Sequence, residues 1–251
     1  MTIKISIITP VFNEERTIRD CLESVKKQSH DSEHIITDGG STDGTLEIIE
    51  GFQNIVARVI SEPDRGAYDA INKGIALATG DIIGTLNGND FFANNDVLEK
   101  VSKMFADTQV DSCYGDVNYV DAQNTRRVVR SWRSGGYDRK TFYWGWMPPH
   151  PTFFVRKTVY EKYGKYNIDF GSAADYELML RFLLKFKIST AYIPEVLVNM
   201  RAGGMSNSSI INRLKANVMD RKAWRINGLR PYPWTLFLKP IRKIGQFILV
   251  R

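Results

Sequence analysis

Glu33-His34-Ile35-Ile36-Thr37-Asp38-Gly39-Gly40-Ser41-Thr42-Asp43-Gly44-Thr45-Leu46-Glu47-Ile48-Ile49-Glu50 decides the fold of this chain. A run of strand length, 33–38, stops at an acid, a glycine-rich turn follows, and a helical segment opens at Thr45. The same order stands on both sides. Upstream, 3–9 reads as a buried strand and 14–28 as a helix with Ile18, Cys21, Leu22 and Val25 on one face. Downstream come a strand at 56–61, a helix at 67–78 and a strand at 81–86. Such alternation predicts an α/β fold, a mostly parallel sheet flanked by helices, with ligands at the carboxyl ends of the strands. Four polar loops fall there: Thr9-Pro10-Val11-Phe12-Asn13, Asp38-Gly39-Gly40, Glu62-Pro63-Asp64-Arg65-Gly66 and Asn87-Gly88-Asn89-Asp90.

After residue 110 the pattern changes. The segment 114–133 predicts antiparallel pairing around 121–124, and the aromatic, Gly- and Pro-rich stretch 137–151 predicts a loop lining a site. A strand at 153–156, a helix at 175–185, a strand at 188–201, a glycine hinge at 202–206 and a long basic helix at 208–227 complete the reading. The expected organisation is a catalytic domain over 1–206, with a first half to 110 and a second over 111–206, and a basic helical tail over 207–251.

The chain has 251 residues, 43% hydrophobic and 25% charged, which suits a globular α/β protein and excludes disordered and collagen-like classes. Its net charge of +6 is unevenly spread. Residues 211–251 carry ten Lys or Arg against one acid, Asp220, so they hold +9 and leave the preceding residues at −3. That asymmetry points to an anionic surface as partner. Two cysteines, Cys21 and Cys113, fit a reducing compartment better than a disulfide framework. The first residues enter a strand directly, without the pattern of a signal peptide, and no apolar stretch reaches the ~20 residues that span a bilayer.

Each candidate residue has a plain reading beside its chemical one. Asp38, followed by two glycines, either holds a base or ribose or caps its own turn. Asp90 closes a strand, where a carboxylate can hold Mg²⁺ or Mn²⁺ if substrate phosphates complete the shell; with Asn89 rather than an acid beside it, a plain turn weighs as much. His150, between prolines 148, 149 and 151, reads equally as a ligand of metal or phosphate and as a structural histidine. Asp175 is either a helix-start acid near the positive end of the dipole or a general base. Neither a Gly-x-Gly-x-x-Gly fingerprint nor a phosphate-binding Gly-x4-Gly-Lys loop is present.

Taken in order, Ile7-Ile8-Thr9-Pro10-Val11-Phe12-Asn13, the 34–45 segment, Glu62-Pro63-Asp64-Arg65-Gly66-Ala67-Tyr68-Asp69-Ala70-Ile71-Asn72-Lys73-Gly74, Leu86-Asn87-Gly88-Asn89-Asp90, Pro149-His150-Pro151-Thr152-Phe153-Phe154 and Ala174-Asp175-Tyr176-Glu177 resemble the inverting family 2 glycosyltransferases of the GT-A (Rossmann-like) fold. The bacterial branch that builds surface polysaccharide is the most similar. The resemblance implies that Pro10, Phe12 and Asp38 hold the nucleotide base, with Asn13, Asp64 and Arg65 nearby. It puts Asn89 and Asp90 at the Asp-x-Asp-type position, with Asp90 on the divalent metal, His150 among the ligand-binding residues and Asp175 as catalytic base. It further implies a nucleotide-sugar donor, UDP-linked by expectation, and a saccharide or polyprenyl-diphosphate-linked acceptor. The Gln-x-x-Arg-Trp motif of processive synthases is absent, so one sugar moves per event. A nucleotidyltransferase and an inactive sugar-nucleotide-binding module are the competing classes.

Trp234, Phe237, Leu238, Ile241, Ile244 and Ile248, with Lys239, Arg242 and Lys243 between them, predict a helix over 230–251 lying on an anionic membrane, or else packed on the domain or another subunit. The expected location is cytoplasmic, peripheral on the inner membrane face. No nucleic-acid-binding motif accompanies the charge, and a homo-oligomer stays open.

Overall fold

The computed structural model of the chain describes residues 3–203, 210–242 and 246. Strand β1 (Ile5–Val11), helix α1 (Ile18–Lys26), β2 (Ser32–Asp38), α2 (Thr45–Glu50), β3 (Val56–Ser61), α3 (Ala67–Leu77) and β4 (Ile82–Thr85) form the first half. Every strand pair in it is parallel: β1 with β2, β2 with β3, β1 with β4. The expected alternation is therefore present, and β1, β2 and β4 are buried, while β3 at the sheet edge is largely exposed. Packing is close enough to dictate residue size. A Cβ at Gly74 of α3 would stand 2.4 Å from Ile8 Cγ2, so only glycine lets the helix lie on β1 at this distance.

The second half is mixed. It contains β5 (Phe91–Phe92), α4 (Val97–Phe105), β6 (Ser112–Val120), β7 (Val128–Trp132), α5 (Arg139–Tyr143), β8 (Phe154–Arg156), α6 (Lys157–Tyr163), α7 (Ala174–Met179) and β9 (Thr190–Arg201). The sheet runs β3-β2-β1-β4-β8-β6-β9-β5, with β7 paired to the outside of β6. β8 is antiparallel to both β4 and β6, and β9 returns parallel to β6. Two expectations change here. The stretch 137–151 is not all loop, because Asp138 caps α5 by accepting the Lys140 N–H. The helix from 175 also changes register: after α7 it continues as a π-type turn, Leu180–Lys185.

The tail begins with α8 (Ile210–Ile226) and continues as α9 (Thr235–Arg242). It packs on the domain. Trp224 is fully buried and its indole N–H donates to the Tyr176 hydroxyl at 3.0 Å. Buried Glu177 pairs with Arg181 through two 3.0 Å contacts and accepts from Asn227 Nδ2 at 3.1 Å, while Arg181 also donates to the Gly164 and Lys165 carbonyls. α9 lies against Gly145, where a Cβ would stand 2.5 Å from the Lys239 backbone nitrogen. The expectation that Lys239 faces a membrane is corrected: its ammonium pairs with Asp220 at 2.7 Å and sits over the Tyr176 ring. Of the predicted hinge and tail residues, 204–209, 243–245 and 247–251 lie outside the described residues.

Candidate functional site

The loops after β1, β2 and β3 make one corner. Phe12 stands at the end of β1 with 59% of its surface exposed, unusual for a phenylalanine beside a buried strand. Opposite it, Asp64 accepts the Gly66 N–H at 2.7 Å with Oδ1, which turns Oδ2 toward Gly39. A Cβ at Gly39 would meet that oxygen at 2.6 Å and the Phe12 ring at 3.4 Å, so glycine is what lets the ring, the backbone and the carboxylate share this corner. An exposed ring beside a carboxylate suits a base with donor groups on its edge.

The neighbouring residues hold the corner in shape. Asp38 is buried and accepts from Gly40 N–H at 3.1 Å, Ser41 N–H at 3.0 Å, and the hydroxyls of Ser41 and Ser61 at 2.5 and 2.6 Å. Three of these donors come from its own turn, the capping half of its two readings, and Ser61 comes from the end of β3. Asn13, at a left-handed φ of 55°, accepts the Thr42 N–H at 2.9 Å and donates its own N–H to Ser41 Oγ at 2.8 Å, lacing the first loop to the second. Pro10 is buried inside β1, and its carbonyl accepts the Gly88 N–H at 3.3 Å. Arg65 stays at the rim, its N–H bonded to Asp69 at 3.0 Å.

Asp90, beyond β4, is 1% exposed. Asn87 Nδ2 donates to it at 2.9 Å and the Arg201 N–H at 3.2 Å, yet burial outweighs both and pushes its carboxyl up to about 7. The Arg201 guanidinium closes this region: it donates to the Asn89 carbonyl at 2.6 Å, pairs with Asp20 and lies over the Phe91 ring. Among the described residues, no group of three or more His, Cys, Asp or Glu side chains converges as a metal cage. One buried carboxylate with an amide beside it fits Mg²⁺ or Mn²⁺ only where diphosphate oxygens supply the remaining ligands.

On the other side stands Asp175, in the first turn of α7. The N-cap position belongs to Ala173, which makes no side-chain cap, and Asp175 stands as a first-turn acid near the positive end of the helix. Its Oδ1 accepts the Tyr176 N–H at 2.7 Å and its Oδ2 lies 3.4 Å from His150 Nδ1. The Tyr68 hydroxyl also bonds to it; burial first, then this carboxylate, pushes that phenol well above its ordinary range. The Tyr119 phenol is raised mainly by burial, with Asp90 and Asp175 both adding, so one side chain lies in the field of both acids. Arg130, opposite Tyr119 in the β6–β7 register, stacks on its ring at 4.2 Å and donates to Gln246 at 2.7 Å.

The structure thus gathers Phe12 with Asp64, sets Asp90 and Asn89 under Arg201, and puts His150 with Asp175 rather than with Asp90. Tyr68, Tyr119 and Arg130 went unread in the sequence. Tyr68 sits inside a helical stripe that reads as core, and Tyr119 and Arg130 meet only through hairpin register.

The sequence profile of glycosyl transferase family 2 matches residues 6–164. The PGL/p-HBAD biosynthesis glycosyltransferase of Mycobacterium tuberculosis is 31% identical over 214 residues, 82% of this chain and 80% of that protein. An uncharacterized glycosyltransferase of the same species is 34% identical over 186 residues, 72% of this chain and 69% of the other. Among solved structures, Staphylococcus aureus TarS 1–349 in complex with UDP-GlcNAc superposes with a TM-score of 0.68 at 16% identity, over 98% of this chain and 78% of that one. A longer TarS chain is spanned to 39% of its length. The mannosyltransferase PcManGT of Pyrobaculum calidifontis, in complex with GDP-Man and Mn²⁺, gives 0.65 at 19% identity, over 93% and 67%. These neighbours share the fold, GT-A. With its profile matched over more than half its length and relatives at this identity and coverage, the chain belongs to glycosyl transferase family 2.

Proposed function

We propose that this glycosyltransferase moves one sugar, with inversion, from a UDP-sugar to a saccharide or polyprenyl-diphosphate-linked acceptor in surface polysaccharide synthesis. The observation that carries the reading is Asp175 in the first turn of α7, its Oδ2 held 3.4 Å from His150 Nδ1, with buried Asp90 as the second acid felt by Tyr119. Phe12 offers its face to the base and Asp64 accepts from the nucleoside. Asp90 with Asn89 would hold the divalent metal, which supplies charge stabilisation to the leaving diphosphate. Arg201 adds a fixed positive charge on the same side. Asp175 takes the proton of the acceptor hydroxyl as that oxygen attacks the anomeric carbon, assistance worth ~10²–10⁴-fold in rate. A single displacement by one base inverts that carbon.

The test is nucleoside diphosphate release by the purified chain across a panel of nucleotide-sugars with saccharide and lipid-linked acceptors. Asp175→Asn is expected to abolish transfer while donor binding survives. Transfer at the wild-type rate would remove Asp175 from the chemistry, and release of pyrophosphate instead would indicate nucleotidyl transfer.

Location at an anionic membrane has its own support. Trp144, Tyr232, Trp234, Phe237 and Ile241 are all exposed, and Trp144 and Trp234 lie 5.9 Å apart. Arg139 and Lys140 lie close to Trp144 in sequence, and Arg230 and Arg242 flank the 232–241 segment. Apolar side chains flanked by cations suit a bilayer carrying anionic lipid. No helix among the described residues is long and apolar enough to cross a membrane.

A further inference from the structure

His150 is held more firmly than an exposed loop histidine needs to be. It opens a single 3-10 turn, His150–Thr152, entered through Pro149 at a φ of −65°. Fully buried Thr152 anchors the turn, its hydroxyl accepting the Gly115 N–H at 3.2 Å and lying 3.0 Å from the Pro149 carbonyl. The Phe153 N–H closes the turn on the His150 carbonyl at 3.2 Å. The imidazole is thereby set with Nδ1 3.4 Å from Asp175 Oδ2.

That choice of oxygen matters. Oδ1 of Asp175 accepts the Tyr176 N–H at 2.7 Å, and Oδ2 is the oxygen that faces the imidazole. The Asp175 side chain is 13% exposed and that of His150 33%, so the ring is the better connected of the two to solvent. The other titratable groups facing Asp175 are Tyr68 from α3, Tyr166 ahead of α7 and Tyr119 from β6. Burial, chiefly, raises all three phenols, so each stays neutral and serves as a donor at neutral pH. Around Asp90, in contrast, Asn87 Nδ2 and the Arg201 N–H are the donors, while the acid that His150 contacts is Asp175.

We propose that His150 is the proton-accepting partner of Asp175 and not a ligand of metal or phosphate; this rests on the reading of Asp175 as general base. As the acceptor oxygen bonds to the anomeric carbon, the bond from that carbon to the diphosphate oxygen breaks and its electron pair leaves with the diphosphate. The hydroxyl proton moves to Asp175 Oδ2. It then passes to the lone pair of His150 Nδ1, and the imidazolium returns a proton to water, leaving both groups ready for the next turnover. His150 is thus a positioning residue that acts through the base.

The full chain is assayed with a donor and acceptor that the wild type turns over. His150→Gln keeps a hydrogen-bond donor of similar reach but cannot take a proton; its kcat is expected to fall ~10- to 100-fold with the donor KM unchanged, a modest share of a typical acid–base contribution. His150→Ala is expected to be equally slow, and to recover several-fold in added imidazole but not in pyrazole, which is far less basic. Wild-type kcat in H150Q, a defect confined to donor KM, or imidazole without effect on H150A would each overturn the proposal. Should H150A fail to fold, the kcat and KM of H150Q decide alone. Asp175→Asn separates the two readings: full activity there removes the base itself, whereas an inactive D175N beside a fully active H150Q removes only its partner.

Discussion

At Gly39 a single missing carbon decides how the nucleotide corner closes, since a Cβ there would overlap Asp64 Oδ2 at 2.6 Å and touch Phe12. Gly39→Ala must push Asp64 aside, and the expected outcome is a donor KM raised by about tenfold, roughly 1.4 kcal/mol of binding, with kcat nearly unchanged. Steady-state kinetics against donor checks it; an unchanged KM would detach Asp64 from the donor. Asp90 makes a second prediction. Burial lifts its carboxyl from the ordinary range to about 7, so near neutrality the folded chain holds a proton there that the unfolded chain has lost. A raised folded value stabilises fully below the unfolded value, ~3.9, and that contribution disappears as pH rises through about 7. Metal and diphosphate need the ionised form, so donor affinity in the presence of Mg²⁺ or Mn²⁺ is expected to weaken between pH 8 and pH 6, with proton uptake or release visible by calorimetry in buffers of different ionisation heat. Affinity flat across that window would place the metal elsewhere. None of this was legible from the residues alone: Asp38 and Asp90 look alike at the ends of their strands, but four donors, three from its own turn and one from β3, satisfy Asp38 while Asp90 is left buried with two.

Among the elements, β1 to β4 and their helices could be read because long apolar runs bounded by polar turns leave little choice of state. β5 could not, since Phe91-Phe92 is strand only through pairing with Asn199 and Val198 of β9, more than a hundred residues later. α7 was legible as a helix but not as the anchor of the tail. There, Glu177, Arg181 and Asn227 form one buried network that ties the 163–165 turn to α8. Removing one member of such a pair strands the other charge, and breaking a buried pair typically costs ~3–5 kcal/mol. Glu177→Ala is expected to lose that much in denaturant unfolding, and a loss below about 1 kcal/mol would show that water replaces the carboxylate readily. Because Asp175 sits two residues earlier on the same helix, partial loss of transfer should accompany the loss of stability.

For the whole molecule, the charge asymmetry seen in the sequence becomes a geometry. The basic tail is folded back on the domain, its inner face spent on Thr235, Leu236 and Lys239, and its outward Trp234, Phe237 and Ile241 join Trp144 from the acceptor half. The periodicity of 234–241 predicted both a membrane-facing and a packed helix; α9 packs by one side, and what its other side meets is open to experiment. Phe237→Ser with Ile241→Ser leaves the buried contacts of α9 intact. The pair is expected to reduce flotation of the chain with vesicles containing phosphatidylglycerol, with little binding of either form to neutral vesicles. Equal flotation of variant and wild type would send the patch to another role, and a concentration-dependent mass in solution would make a second copy its occupant.

The order of the strands along the chain has a consequence for synthesis. β1 to β4 are complete by residue 85, but the groups that surround Asp90 include the backbone and guanidinium of Arg201, at the very end of β9. β9 in turn is held by β6, which is some seventy residues upstream. A nascent chain therefore carries the residues of the Phe12–Asp64 corner well before it carries the Arg201 contacts to Asp90 and Asn89. Ribosomal products stopped short of residue 201 are expected to transfer no sugar, which an assay of truncated chains checks.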